Sequence, residues 1–211
     1  MKRTPPLLED LHPWLRKRIK TLAEHHQLAF PERALTLIWG HRSQKEQRAA
    51  YTAGRSKLDG YNKLSLHNYY PALAADLWVY LDAPDTDGVL SEGRLKRGTY
   101  ERLCLLSRGD FKNYYLPLAK LSKKVGLEPG GLWRRFKDGP HHQVPKLYRY
   151  KLCQIALQKK GLYLGLIDGI IGPKTRAAIR AASIHAGLPY VARPKMVPVT
   201  SELWTWLHRD I

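Results

Sequence analysis

His67 lies near the start and Asp76 at the end of a stretch, SLHNYYPALAAD, whose other residues are mostly small, apolar or aromatic. Asp76 stands among Ala74, Ala75, Leu77 and Trp78, in what reads as a buried strand. A carboxylate buried alone is costly, so this one calls for a partner. Histidine and aspartate are both good ligands for Zn²⁺, and a third ligand would complete a hydrolytic set with the fourth position left for water. FKDGPHHQ offers that ligand: His141 follows Pro140, which stiffens the approach, and Asp138 lies three residues earlier. A carboxylate in the same short loop as a ligand can reach the water and take its proton. Asp138 is therefore the expected base and His141 the expected ligand, with His142 its local rival. Nine histidines allow many accidental pairs. On residue types alone, a core aspartate bonded to backbone beside a surface histidine stays open as the alternative.

The elements that would position these residues can be read from pattern. Leu11, Leu15, Ile19 and Leu22 recur at helical spacing within 7–27, with Pro13 in the first turn. ALTLIWG (34–40) reads as a buried strand. SQKEQRAAYTAG (43–54) reads as a helix with Ser43 and Glu46 as a capping box and Gly54 as terminator. A polar loop spans 55–64, a second strand 72–81, and turn chemistry follows at 82–88. Residues 96–126 look mostly helical with a break at 107–110, and EPGG (128–131) reads as a loop. After residue 146 the pattern changes to helices over 147–161 and 173–187, joined by a loop with an Asp-Gly turn. A last short helix over 201–209 follows a polar linker. The expected fold is α+β, a small antiparallel sheet with flanking helices over 1–145, followed by a small all-α three-helix domain over 146–211.

The net charge of +18 and a pI near 10 predict attraction to a polyanion: nucleic acid, an anionic cell-envelope polymer or lipopolysaccharide. The basic residues are spread along the chain. No apolar run is long enough to cross a bilayer and the N-terminal stretch has no apolar core of a secretory signal, so the expected site of synthesis is a cytoplasm. Cys104 and Cys153 are far apart and lack metal-site spacing, so both are expected to be reduced.

SLHNYYPALAAD resembles the S-x-H…A-x-D signature of the zinc peptidases that cut peptidoglycan stem peptides, the D-alanyl-D-alanine carboxypeptidases and L-alanyl-D-glutamate endopeptidases, many phage endolysins among them. GLEPGGLWRRFKDGPHHQ looks like their second signature, a Gly-Gly-x-Trp segment leading to D-x-P-H, and WGHRSQKEQRAAYTAGRSK resembles their upstream segment. The resemblance spans roughly residues 34–143. It implies His67, Asp76 and His141 as zinc ligands, Asp138 as catalytic base, Arg42 at the substrate carbonyl or carboxylate, and Gln47 shaping that side of the site. Asp76 follows His67 by nine positions where the commonest form has seven, with Pro71 at the turn, as in phage-type members carrying His-Asn-x-x-Pro. His142 replaces a frequent aromatic residue and is expected to act as a donor beside the metal or to the transition state.

CQIALQKKGLYLGLIDGIIGPKTRAAI resembles a three-helix peptidoglycan-binding domain, with Cys153 in place of the usual leucine and ASIH where an aromatic-glutamine pair is common. Tyr163, Asp168 and Thr175 are the candidate glycan contacts. The resemblance implies a monomeric endolysin made in the host cytoplasm and acting on the wall after release. Its favoured target is the L-alanyl-D-glutamate bond, since a lysin must cut cross-linked chains; the D,D-carboxypeptidase or D,D-endopeptidase is the alternative. Two rivals stay in view. A basic nucleic-acid-binding protein leaves the three aligned segments unexplained, so no nucleic-acid partner is expected. A non-catalytic envelope or virion component leaves the complete ligand set unexplained.

Overall fold

The computed structural model describes residues 7–81, 90–92, 111–191 and 196–209. The turn expected at 82–88, much of the helical stretch expected over 96–126, and Cys104 lie outside the described residues.

Helix α1 (Pro13–Ala29) buries Leu15, Ile19, Leu22, Ala23 and His26 along one stripe. It begins later than the apolar pattern suggests, and Leu8–Asp10 form a separate 3₁₀ turn. Proline keeps the residue before it extended, so the helix cannot run through His12. His12 instead caps it, Nδ1 accepting the Trp14 N–H at 3.1 Å.

Strand β1 (Arg33–Trp39) pairs antiparallel with β2 (Ala74–Leu81), from Arg33 opposite Leu81 to Trp39 opposite Asp76. The register shifts between Leu37 and Trp39, just where β1 approaches Asp76. Helix α2 (Gln44–Thr52) starts at the expected capping box: Ser43 Oγ accepts the Glu46 N–H at 3.2 Å and Glu46 accepts the Ser43 N–H at 2.9 Å. Strands β3 (Ser91–Glu92), β4 (Glu128–Pro129) and β5 (His141–Gln143) complete a sheet of order β3-β1-β2-β5-β4. Its described pairings are antiparallel except β1–β3. Strands β4 and β5 lie where sequence pattern shows only loop, because two or three residues carry no readable period.

Helix α3 (Leu116–Lys124) follows a π-helical turn at Phe111–Tyr115 and packs against α1. The Tyr115 hydroxyl accepts the Val79 N–H at 3.1 Å and so ties this segment to β2. Helices α4 (Lys146–Lys159), α5 (Pro173–His185) and α6 (Ser201–Leu207) follow. Pro173 opens α5, and Gly161 and Gly187 leave α4 and α5 with φ of 72° and 65°. Val197 and Val199, in the segment expected to be a polar linker, are fully buried. Apolar residues from both sides of residue 146 form one core cluster, in which Trp204 meets Tyr69. No helix among the described residues is long and apolar enough to cross a membrane.

Candidate metal centre

Sheet pairing delivers two of the candidate ligands. Asp76 on β2 lies opposite Trp39 on one side and His141 on the other. His67 arrives from a 3₁₀ turn (Leu66–Asn68) capped by Ser65. That turn is laced to the end of β1: Arg42 N–H donates to His67 O at 2.8 Å, and Asn68 Nδ2 donates to Arg42 O at 2.8 Å.

Ligand atoms of His67, Asp76 and His141 all lie within 4.8 Å of one another. Asp76 Oδ1 is the hub, 3.3 Å from His67 Nε2 and 3.2 Å from His141 Nδ1. The remaining ring nitrogens are committed elsewhere. His67 Nδ1 sits 2.7 Å from Gly40 O, an acceptor only, so it carries the proton and leaves the Nε2 lone pair free. His67 Nε2 is buried and makes no hydrogen bond. His141 Nε2 lies 3.0 Å from Gln143 Oε1, and Gln143 Nε2 donates to Glu128 at 2.8 Å, which fixes the amide so that its oxygen faces the ring. His141 therefore presents the Nδ1 lone pair to the cluster. Two imidazole lone pairs and one carboxylate oxygen converging on a point fit a divalent zinc ion with an open fourth position.

The electrostatics follow the geometry. Burial disfavours the Asp76 anion, yet His67 and His141 beside it hold its carboxyl well below the usual range. Burial lowers His67, and for His141 the Asp76 carboxylate overrides burial and raises it. Asp138, on the turn that leads into β5, is pushed up by burial and then by the Asp76 charge. The Gly-Gly segment makes this turn possible. A Cβ on Gly130 would lie 2.6 Å from Asp138 O and 3.0 Å from the His141 Cβ, so only glycine lets the two loops close. Beyond it, the Trp133 ring stands 5.1 Å from the His141 ring and forms one wall of the cluster.

Arg42, expected at the substrate, donates from Nη2 to Asp76 Oδ2 at 3.3 Å and from Nη1 to Gln47 Oε1 at 3.0 Å, over the Trp39 ring. Gln47 is fully buried, and its Nε2 is taken by Ser56 Oγ and Leu58 O. It anchors Arg42, and the structure does not bring it to a surface where substrate could lie. His142 is not brought to the cluster either, as rival ligand or as donor. Neighbouring side chains on a strand face opposite ways. His142 is buried with Nδ1 2.8 Å from Ser122 Oγ on α3, held neutral by burial with a pKa of about 3.

Tyr163, Thr175 and the exposed Asp168 are tied together by Gln154. Gln154 Nε2 donates to Asp168 Oδ1 at 2.8 Å and lies 3.3 Å from both Tyr163 Oη and Thr175 Oγ1. Gln154 Oε1 accepts the Gly169 N–H at 2.8 Å. These groups brace the α4–α5 loop; Tyr163 and Thr175 are buried and cannot meet a glycan. Cys153 is a buried free thiol whose pKa burial pushes up to about 12.

Sequence reasoning missed Gln143, Glu128, Asn68 and the Gly40 carbonyl, the groups that orient the ligands. Gln143 was within reach, because alternation puts residues 141 and 143 on one face of any strand formed by HHQ. The others depend on tertiary contacts with no local signal.

No protein-family model matches this chain. A solved structure, the L-Ala D-Glu endopeptidase ChiX of Serratia marcescens, matches with a TM-score of 0.40 and 23% identity, over 65% of this chain and 83% of that one. Over 146 residues, 66% of this chain and 76% of the relative, the chain is 28% identical to the peptidoglycan L-alanyl-D-glutamate endopeptidase CwlK of Bacillus subtilis (strain 168).

Proposed function

We propose that this chain is a zinc-dependent peptidase that hydrolyses peptidoglycan stem peptides at the L-alanyl-D-glutamate bond, in the role of a phage-type endolysin acting on the wall after release from the host cytoplasm. The observation that carries the reading is the convergence of His67, Asp76 and His141 on one point, with His67 Nε2 making no hydrogen bond among the described residues. The similarity to a curated endopeptidase of that specificity supports the substrate, and the charge of +18 supports attraction to an anionic wall.

His67 Nε2, Asp76 Oδ1 and His141 Nδ1 would hold a zinc ion, which when bound would supply Lewis acidity to a water and a carbonyl. The chain does the rest. Asp138 takes a proton from the attacking water on its carboxylate and returns it to the leaving amine. Its burial beside Asp76 raises its proton affinity, which favours taking the proton from water. Arg42 holds Asp76 through Oδ2, so that Oδ1 faces the two histidines, and contributes fixed positive charge on the side where an oxyanion develops. The Trp133 ring lies tilted against the His141 ring on one side of the site.

The test is digestion of purified peptidoglycan by the zinc-loaded protein, with products identified by mass spectrometry. The reading expects peptides beginning at D-glutamate, glycans retaining L-alanine, and loss of both on chelation. Cleavage between D-alanine residues would overturn the bond assignment, and no metal-dependent cleavage of any stem peptide would overturn the function.

A further inference from the structure

A second candidate binding site lies at the seam between the two halves of the chain and shares no residue with the metal cluster. It is a cleft of about 380 Å³, bounded by the start of α1, the Tyr70–Pro71 turn, one face of α4 and His208 just after α6. That volume falls within the range of small-ligand pockets, which favour such seams. Leu152, Ile155 and Ala156 form an apolar wall, with half-exposed Tyr70 across from them.

The polar groups of the cleft are few and their hydrogen-bonding senses are fixed. His12 Nδ1 accepts the Trp14 N–H, so in the neutral ring the proton sits on Nε2 and that atom is a donor. His208 Nδ1 lies 2.8 Å from Trp204 O, which only accepts, so the proton sits on Nδ1 and Nε2 is an acceptor. Both rings are held neutral: burial and neighbouring cations bring His12 to about 3, and burial lowers His208. The rings stand 5.2 Å apart, edge to face, and neither Nε2 has a hydrogen-bond partner among the described residues. His12 is more than nine-tenths buried. The cleft thus holds one donor and one acceptor side by side, the complement of a hydroxyl group.

The charge of the cleft is positive. Arg16 and Lys159 line it against one carboxylate, Glu9, which sits 3.5 Å from Arg16 and is largely solvated. The positive end of the 17-residue helix α1 opens onto the same space. We propose that this cleft binds a small hydroxylated carboxylate of the sugar-acid type, its hydroxyl between His12 and His208, its carboxylate toward Arg16 and Lys159, and its apolar face on α4 and Tyr70. That chemistry has two sources, a carboxylated sugar of a glycan strand or a free hydroxy acid. The inference does not depend on the metal site or on the peptidase reading.

The test is a titration of the full chain followed by the imidazole ¹⁵N resonances of His12 and His208. The probes are N-acetylmuramic acid, D-lactate and N-acetylglucosamine. The proposal expects saturable shifts at both histidines with N-acetylmuramic acid, at a millimolar Kd or tighter. Matching shifts with lactate identify a free hydroxy acid as sufficient; their absence identifies the sugar ring as required. Arg16→Gln with Lys159→Gln, neither of them part of the metal cluster, should weaken binding about tenfold or more while the His67 and His141 resonances stay in place. No saturable shift with either carboxylate, equal shifts with neutral N-acetylglucosamine, or unchanged affinity in the double variant would each overturn it.

Discussion

Replacing Gln143 by leucine tests the metal centre through a residue that touches no ligand atom of the cluster. Leucine keeps the approximate shape and removes both the acceptor facing His141 and the donor to Glu128. The Gln143 oxygen, 3.0 Å from His141 Nε2, is what fixes the proton there and leaves the Nδ1 lone pair for the metal. Without it the buried Nε2–H has no partner, which costs about 1–3 kcal/mol, and the ring gains by moving its proton to Nδ1, where the Asp76 carboxylate lies 3.2 Å away. A metal must then displace that proton. Loss of such a supporting hydrogen bond lowers metal affinity by about 10- to 100-fold, equivalent to about 1.4–2.7 kcal/mol. The assay is zinc affinity by chelator competition, with thermal unfolding of the metal-free protein alongside.

A double variant makes the result specific. Gln143→Glu with Glu128→Gln exchanges the two side chains, so that residue 143 still accepts from His141 and residue 128 now donates across the 2.8 Å contact. It should bind zinc within a few-fold of the native chain, while Gln143→Leu does not. If Gln143→Leu binds zinc as tightly as the native protein, or if the exchange variant binds no better than the leucine variant, the tautomer argument is wrong.

Asp138→Asn should keep the zinc and lose catalysis by at least about 100-fold, the usual contribution of a positioned acid-base; loss of metal in this variant would show a structural role instead. Gly139→Ala should destabilise the fold by about 1–3 kcal/mol in urea melts, because the new Cβ would lie 2.8–2.9 Å from ring atoms of buried Tyr115. An unchanged midpoint would show that the ring can retreat. Acid should weaken the fold through His26, buried with Nε2 unpartnered and its pKa lowered from 6.5 to about 4 by burial and Arg33. The unfolded chain binds the extra proton first, so stability falls as pH drops from about 6.5 to about 4, by about 3 kcal/mol. His26→Leu should flatten that part of the curve, and an unaltered slope would remove His26 from the account.

What could be read in advance was what the chain writes locally. The capping box at Ser43 and Glu46, the stripe from Leu15 to Leu22 and the proline and glycines bounding α5 are signals confined to one turn or one face, and the elements sit where those signals place them. The cluster of His67, Asp76 and His141 was legible because Asp76 is chemically out of place among apolar neighbours. The placement of His142 is not legible in sequence because β5 is three residues long and its alternation cannot be seen until β2 is laid beside it. Gln47, Tyr163 and Thr175 share one feature that the sequence does not show. A polar side chain that looks available in sequence can be buried to brace a loop, and only the partners across the fold reveal it.

The nine-position step from His67 to Asp76 shows how distant parts of this chain depend on one another. It joins the 3₁₀ turn that carries His67 to the strand that carries Asp76, and a loose loop there would let the two ligands drift apart. Two clamps hold it. From the N-terminal side, Leu11 and Ala72 form a bridge, with His12 N–H on Ala72 O at 2.9 Å and Ala72 N–H on Asp10 O at 2.7 Å. From the C-terminal side, the fully buried Trp204 donates its indole N–H to Pro71 O at 3.0 Å and sets its ring edge-on to Tyr69. Each clamp satisfies a main-chain group that would otherwise need water in a buried place. The residues before α1 and the final helix, which contain no candidate ligand, therefore determine whether His67 and Asp76 face one another. Helix α6 is coupled to the metal centre through that one loop, whatever else the C-terminal helices bind.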